Sequence, residues 1–152
     1  MSRIGFQEAS SKRISFLALT GLEVTEFNKL KPFFEEAFLH RMRMFTIEGK
    51  ERGNRSFVDY DNASLPTIED KLLFVIIFVK QNLTQEVMAF MFGMSQSKVH
   101  EWLQTLIPVL KQALFLSKDL PGETKEQFME AVKNIKDPFF VTTARKDPLN
   151  DL

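Results

Sequence analysis

Cysteine is absent from this 152-residue chain, which excludes disulfide frameworks, thiol nucleophiles and thiolate metal sites. The absence fits a reducing cytosol. Glycine is scarce, at 6 residues against 16 phenylalanines, which disfavours a turn-rich all-β fold and favours a helical interior packed with aromatic rings. A surplus of charge is also missing: 20 basic residues balance 20 acidic ones. Proteins that bind nucleic acid draw much of their affinity from neutralising phosphates. A neutral chain can do so only if its charge is locally arranged or its affinity is modest. No apolar run approaches a membrane span, the longest being Leu72 to Val79. No secretory signal stands at the N-terminus, so the expectation is a soluble, cytoplasmic protein. Catalytic inventory is thin as well. The two histidines, His40 and His100, fall in different segments without metal-ligand spacing, and no glycine-rich loop is available to cradle phosphate. No metal and no cofactor is expected.

What is present is helical periodicity, interrupted by clear breakers. Met1 to Ser11 has little pattern and reads as a loose end. Lys12 to Thr20 reads as a short helix with Ile14, Leu17 and Leu19 on its apolar face, stopped at Thr20-Gly21. From Val24 to about Met44, Phe27, Leu30, Phe34, Phe38 and Met42 recur at three- and four-residue spacing and predict a longer helix with one buried face. Pro32 should kink or divide it. Thr46 to Ser64 is polar and rich in breakers, hence a loop. It carries Lys50, Arg52 and Arg55 close to Arg41 and Arg43, a set suited to phosphate contacts, although Glu48, Glu51, Asp59 and Asp61 dilute the field. A solvated surface loop is the alternative.

Thr67 then supplies an N-cap, with Asp70 three residues on, ahead of the octet LLFVIIFV. Propensity alone would allow a buried strand. The cap signal and the continuation through Lys80 and Gln81 predict a helix instead, apolar nearly all round because it packs on several sides. Thr84 caps the next helix, which carries Val87, Met88, Ala89 and Phe92 and is broken by Gly93. Met94 plugs the corner and Ser95 opens a further helix with Val99, Trp102 and Leu103. Two steeply crossing helices need a small residue where their backbones approach, which Ala89 provides, and a left-handed turn residue, which Gly93 provides. Met88, Phe92, Met94, Val99 and Trp102 fall inward, leaving Gln96, Ser97, His100, Glu101 and Gln104 facing out. In a DNA-binding helix-turn-helix that outward face enters the major groove. Gln96 and Gln104 carry the amide that can bond an adenine edge twice, and Lys98 can meet a phosphate. Any bundle can also use a glycine turn between apolar stripes, so the pattern alone leaves a purely structural helix pair open. Pro108 marks a boundary or kink, with helix continuing from Val109 to Leu116. Pro121-Gly122 is a turn, and Thr124 to Asn134 reads as a last amphipathic helix bearing Phe128 and Val132, with Ile135 just beyond.

The stretch LPTIEDKLLFVIIFVKQNLTQEVMAFMFGMSQSKVHEWLQTLIPVLKQAL resembles the N-terminal helix-turn-helix region of bacterial insertion-sequence transposases with a DDE catalytic domain. The likeness extends upstream through TGLEVTEFNKLKPFFEEAF, and its most specific parts are PTIEDKLLF and MFGMSQ. In such transposases this region precedes an RNase H-like domain whose three carboxylates bind two divalent ions and cut and join DNA. The chain departs from the pattern in YDNASL, where relatives tend to be more basic. It departs again at the tail, where relatives read FFHDGTERPI, the Asp being the first metal-binding carboxylate, and this chain reads FFVTTARKDPL. If the codons for VTTARKDPLNDL are read from the third base of the Val141 codon, the pairs AC, AC, GC, CG, AA, GA, CC and TT become the last two bases of successive codons. That frame can spell His-Asp-Gly-Thr-Glu-Arg-Pro-Ile. The expectation is therefore a first open frame whose catalytic half lies downstream in a shifted frame, reached by ribosomal frameshifting or lost by mutation. It fails if no frame downstream of the stop codon encodes DDE-type residues.

The sequence thus predicts an all-α helical bundle containing a tri-helical helix-turn-helix unit. Its division is 1–47 as an N-terminal helical arm, 48–64 as a polar loop, 65–118 as the DNA-binding unit and 119–152 as a C-terminal helix and irregular tail. The resemblance implies a non-catalytic DNA-binding module that recognises the terminal inverted repeats of its element and is associated with the nucleoid. Self-association, or pairing with a frameshifted full-length transposase, is a further expectation. Base readers would be Gln96, Ser97, His100, Glu101 and Gln104, with Lys98, Arg52 and Arg55 on phosphates. A helix-turn-helix transcriptional regulator and a protein-interaction or dimerisation module are the rival readings.

Overall fold

The computed structural model describes residues 4–47, 50–51, 64–118 and 120–135. They form seven helices and no strand beyond one isolated antiparallel bridge, Phe45 to Glu51. The helices are α1 (Phe6–Ser10), α2 (Arg13–Thr20), α3 (Val24–Met44), α4 (Ile68–Gln81), α5 (Gln85–Phe92), α6 (Gln96–Leu116) and α7 (Gly122–Lys133). The all-α expectation holds.

Helix α4 is the axis of the bundle. Thr67 caps it by accepting the Asp70 N–H at 3.0 Å, and every residue from Lys71 to Val79 is buried. A run buried on all sides carries no periodicity, which is why the octet is ambiguous as a sequence and unambiguous once five helices pack around it. Asn82 ends α4 in the left-handed region at φ 56°, a conformation Asn tolerates better than most residues. Buried within α4 is Lys71. Its Nζ donates to the Leu65 carbonyl at 2.8 Å and lies 5.5 Å from the ring centroids of both Phe38 and Trp102.

Helix α3 buries Phe27, Leu30, Phe34, Ala37, Phe38 and Met42, the stripe its spacing predicts. Glu23 and Glu26 form a reciprocal capping box at its start, and Arg13 grips the Glu23 carboxylate through two nitrogens at 2.7 and 3.0 Å. Pro32 does not divide the helix. It sits on the exposed side, so the Asn28 carbonyl it leaves without an N–H partner faces solvent rather than the core. Lys31 reaches across to Glu69 at 3.0 Å and ties α3 to the first turn of α4. Burial alone would raise the Glu69 carboxyl, but hydrogen bonds from Lys31, its own backbone and Thr67, with the Lys31 charge, leave it below its usual value. Its contribution to stability is therefore present at neutral pH and is lost as pH falls through the acid range.

Two expectations for the N-terminus are corrected. The segment before Ser11 is not a loose end from Ile4 onward. Phe6 stacks on Phe27 at 4.8 Å and meets Phe16 edge-on at 6.0 Å. Its N–H donates to Asp70 Oδ1 at 2.7 Å, and the Ile4 N–H reaches the Met91 carbonyl at 3.2 Å. One turn of helix is too short to display a period, so only the aromatic ring hinted at the docking. In α2 the buried face is Phe16 and Thr20, whereas Ile14 is 76% exposed. Thr20 can be buried because its hydroxyl donates to the Phe16 carbonyl at 2.8 Å and accepts the Leu22 N–H at 3.0 Å. Gly21 then closes the helix at φ 74°.

At the C-terminal side, α6 runs unbroken through Pro108, which is exposed, so no boundary exists there. Helix α7 begins at Gly122, two residues earlier than expected, behind Pro121. It buries Phe128 and Val132, with Ile135 packed at the edge of the core. The buried residues of α2, α3, α4, α5, α6 and α7 join in one hydrophobic core.

Candidate nucleic-acid interface

Helices α4, α5 and α6 make the tri-helical unit. Thr84 caps α5 by accepting the Val87 N–H at 3.2 Å. Met88 and Phe92 are fully buried, and Phe92 meets Phe74 of α4 edge-on at 4.9 Å. Gly93 takes φ 66°, ψ 44°, and its N–H and that of Met94 both return to the Ala89 carbonyl. The corner is thus a left-handed cap, the conformation its glycine predicts. Ser95 opens α6 by accepting the Lys98 N–H at 3.1 Å. Ser95→Ala should cost about 1 kcal/mol of stability, read as a lowered denaturation midpoint with an unchanged slope. Ser95→Asp should restore it.

Past the cap, the first half of α6 presents two faces. Val99, Trp102, Leu103 and Leu106 are buried. Gln96 and Ser97 are exposed, and Lys98, His100, Glu101 and Gln104 are half-buried. At about 100° per residue, Ser97, Glu101 and Gln104 form one ridge, with Gln96 and His100 along one edge and Lys98 along the other. The inward placement of Met88, Phe92, Val99 and Trp102 follows the helical period; Met94 at the corner is only half-buried. His100 is more enclosed than its position implies, with Nδ1 sealed from solvent.

One feature of the face departs from the separate roles expected of its members. Lys98 Nζ and Glu101 Oε1 are 3.0 Å apart, an i,i+3 ion pair, with the side chains 44% and 28% exposed. The spacing of this pair was visible in the sequence. Together they make a neutral, hydrogen-bonding unit rather than one positive and one negative contact. Arg52 and Arg55 lie outside the described residues, as do residues 136–152 with the frame-shift reading of the tail.

Sequence reasoning singled out Arg41 and Arg43 as a basic feature but not where the fold puts them. The second half of α6 packs along α3, and the Thr105 hydroxyl donates to the Ile47 carbonyl at 3.1 Å. The end of α3 therefore lies beside the middle of α6. Between the two helices His40, Arg41 and Arg43 line a groove with Pro108 and Gln112. The Arg41 guanidinium lies 5.3 Å over the Phe45 ring, and burial lowers it from its usual value. Arginine remains charged at neutral pH even so. Proximity of Arg41 and Arg43 to the loop cations was legible, but their meeting with α6 required the fold.

Among the described residues no cluster of three or more His, Asp or Glu side chains could hold a metal ion, and no helix is long and apolar enough to cross a membrane. No curated protein matches the chain, and no solved structure does. Residues 63–115 match one family, described as the helix-turn-helix of DDE superfamily endonuclease. That span covers α4, the capped α5, the Gly93 corner and nearly all of α6. The segment from 63 to 115 is accordingly similar to the helix-turn-helix region of DDE-type transposases.

Proposed function

We propose that this helix-turn-helix recognises the terminal inverted repeats of an insertion element, with the first half of α6 in the major groove. The observation that carries the reading is the polar ridge of Ser97, Glu101 and Gln104, flanked by Gln96, on the second helix of a glycine-cornered pair. Gln96 and Gln104 lie eight residues apart, about 12 Å along the helix axis, so they meet different base pairs. Each can hold an adenine edge through its amide. Glu101, neutralised by Lys98, can approach base edges without full repulsion from the phosphates. Helix α3 packs against α6 and braces the tri-helical unit. Bound to its element, the protein would sit on the nucleoid.

A gel-shift titration of the element's end against a scrambled duplex, at about 50 and 200 mM salt, tests this. Wild-type protein should prefer the end, and its affinity should fall as salt rises. Gln96→Ala with Gln104→Ala should weaken binding to the end on the order of tenfold to a hundredfold, with little change on the scrambled duplex. Unchanged affinity in the double variant would remove the assignment of the face. Preference for a promoter operator over the element's end would select the transcriptional-regulator reading. Self-association has its own support in Phe115, which is 74% exposed beside α7. Sedimentation across a concentration range tests that separately.

A further inference from the structure

From the groove between the end of α6 and α7 we infer a two-fold interface between copies of this chain, in which Phe115 of each copy seats in the groove of the other. The inference rests on the self-association raised above and gives it a surface. It stands apart from the reading of DNA.

Phe115 is the second-last residue of α6 and is 74% exposed. With Met129 of α7, itself 38% exposed, it lines a broad groove of about 1230 Å3. One exposed apolar side chain is ordinary on a protein surface. A phenylalanine ring standing over an open groove, with a second apolar side chain in the groove wall, is a patch that association would cover.

Charge selects the occupant. On α6, Lys111 lies one turn before Phe115 on the same face, and Lys118 follows just past the helix end; both are exposed. On α7, Glu123, Glu126 and Glu130 share one exposed face along the groove. Lys125 is drawn away from them: its Nζ donates to the Ser117 carbonyl at 2.7 Å and closes the end of α6. Lys133 offsets one of the three carboxylates at the far end of the wall. Lys111, Lys118, Glu123 and Glu126 form no ion pair among the described residues, so their charge is open to a partner.

One molecule thus carries a ring flanked by lysines beside a groove walled by glutamates. A two-fold axis requires a patch that complements itself. Here the rotation lays each ring and its lysines against the glutamates of the other copy. A partner of uniform charge, basic or acidic, would meet like charge on half of the patch. The chain carries no net charge, so two copies approach without overall repulsion. Phe115 lies fourteen residues from Glu101, about 21 Å along α6, so this patch and the polar ridge are separate surfaces.

Sedimentation of the full chain across a wide concentration range tests the interface. Wild-type protein should pass from monomer to dimer. Phe115→Asp should weaken dimerisation on the order of a hundredfold, with helix content unchanged because the residue is exposed. Two charge-reversed chains give a test that does not depend on that variant: Lys111→Glu with Lys118→Glu, and Glu123→Lys with Glu126→Lys. Each alone should dimerise on the order of tenfold more weakly, since like charges then face each other, and an equal mixture of the two should recover wild-type affinity. Lys12→Glu with Lys29→Glu, the same reversal away from the groove, should recover nothing when mixed with the second chain. Recovery there would mark general attraction between unlike net charges and overturn the inference. If the wild-type chain stays monomeric throughout, self-association falls, and this surface with it. If it dimerises, and Phe115→Asp and both charge-reversed chains dimerise equally well, the groove assignment alone is wrong. A monomeric wild type that associates once Phe139→Ala and Phe140→Ala are combined would put the chain's own tail in the groove and also overturn the inference.

Discussion

Phe74→Ala should lower the stability of the protein by about 3–5 kcal/mol, enough to remove much of what a domain of this size possesses. Phe74 is fully buried in α4, and its ring meets Phe92 at 4.9 Å with the planes 74° apart. Truncation loses the transfer energy of the ring and leaves a cavity in a core that can collapse only partly. It also removes an aromatic pair worth about 0.5–1.5 kcal/mol beyond its buried area. The location makes the loss functional. Phe92 is the last residue of α5, directly before the left-handed Gly93, so the Phe74 ring fixes the corner that aims α6. Helix α5 has only 8 residues, too few to persist without such packing. Urea denaturation should show a lowered midpoint with an unchanged slope, and Phe74→Leu should recover part of the loss. A shift below about 1 kcal/mol would mean that the corner is held elsewhere.

Why the architecture was readable, and the groove was not, follows from the range of the interactions involved. Caps act over three residues, so Thr67, Thr84 and Ser95 announce their helices and bond where expected. The Gly93 corner is equally local. The stripe of α3 runs from Phe27 to Met42 and survives Pro32 because periodicity outlasts a single missing hydrogen bond. Ile14 and Phe6 are different cases. In α2, three apolar residues compete for one face, and the bundle buries Phe16 with a self-satisfied Thr20 instead. Phe6 is settled by rings from Phe16 and Phe27, which no local pattern encodes. Pro108 suggests a break, but it is exposed at the rim of the α3–α6 groove, and its neighbours Ile107 and Val109 are buried in the core that sustains the helix.

The polar ridge of α6 was legible for the same reason as the caps, since its residues are fixed by one helix's own period. Its electrostatics were only partly so. Lys98 and Glu101 look like opposite contributions in a residue count and act as one neutral pair in space. Conversely, the overall neutrality of the chain hides the convergence of Arg41 and Arg43 beside α6, because charge totals carry no positions.

Lys71 offers the other large effect, and two substitutions there separate its parts. Lys71→Ala should cost about 3–5 kcal/mol, since it deletes a buried four-carbon stem and strands the Leu65 carbonyl it now satisfies. Lys71→Met keeps nearly the same volume and still loses the donor, but it also removes the desolvation of a cation. Exchanging a buried charge for an apolar group of its shape is often close to neutral, so Met should cost no more than about 1–2 kcal/mol. The stem then accounts for most of the stability, and the ammonium for the register of three elements: Phe38 on α3, Trp102 on α6 and the approach to α4 at Leu65. Trp102 is the only tryptophan in the chain, so its emission reports this junction directly. Lys71→Ala should shift that emission to the red as water enters the space, and Lys71→Met should leave it near the wild-type position. Were Met to prove as costly as Ala, the carbonyl and ring contacts of the ammonium would outweigh the packing of its stem. The entrance to the helix-turn-helix would then be held by charge rather than by volume.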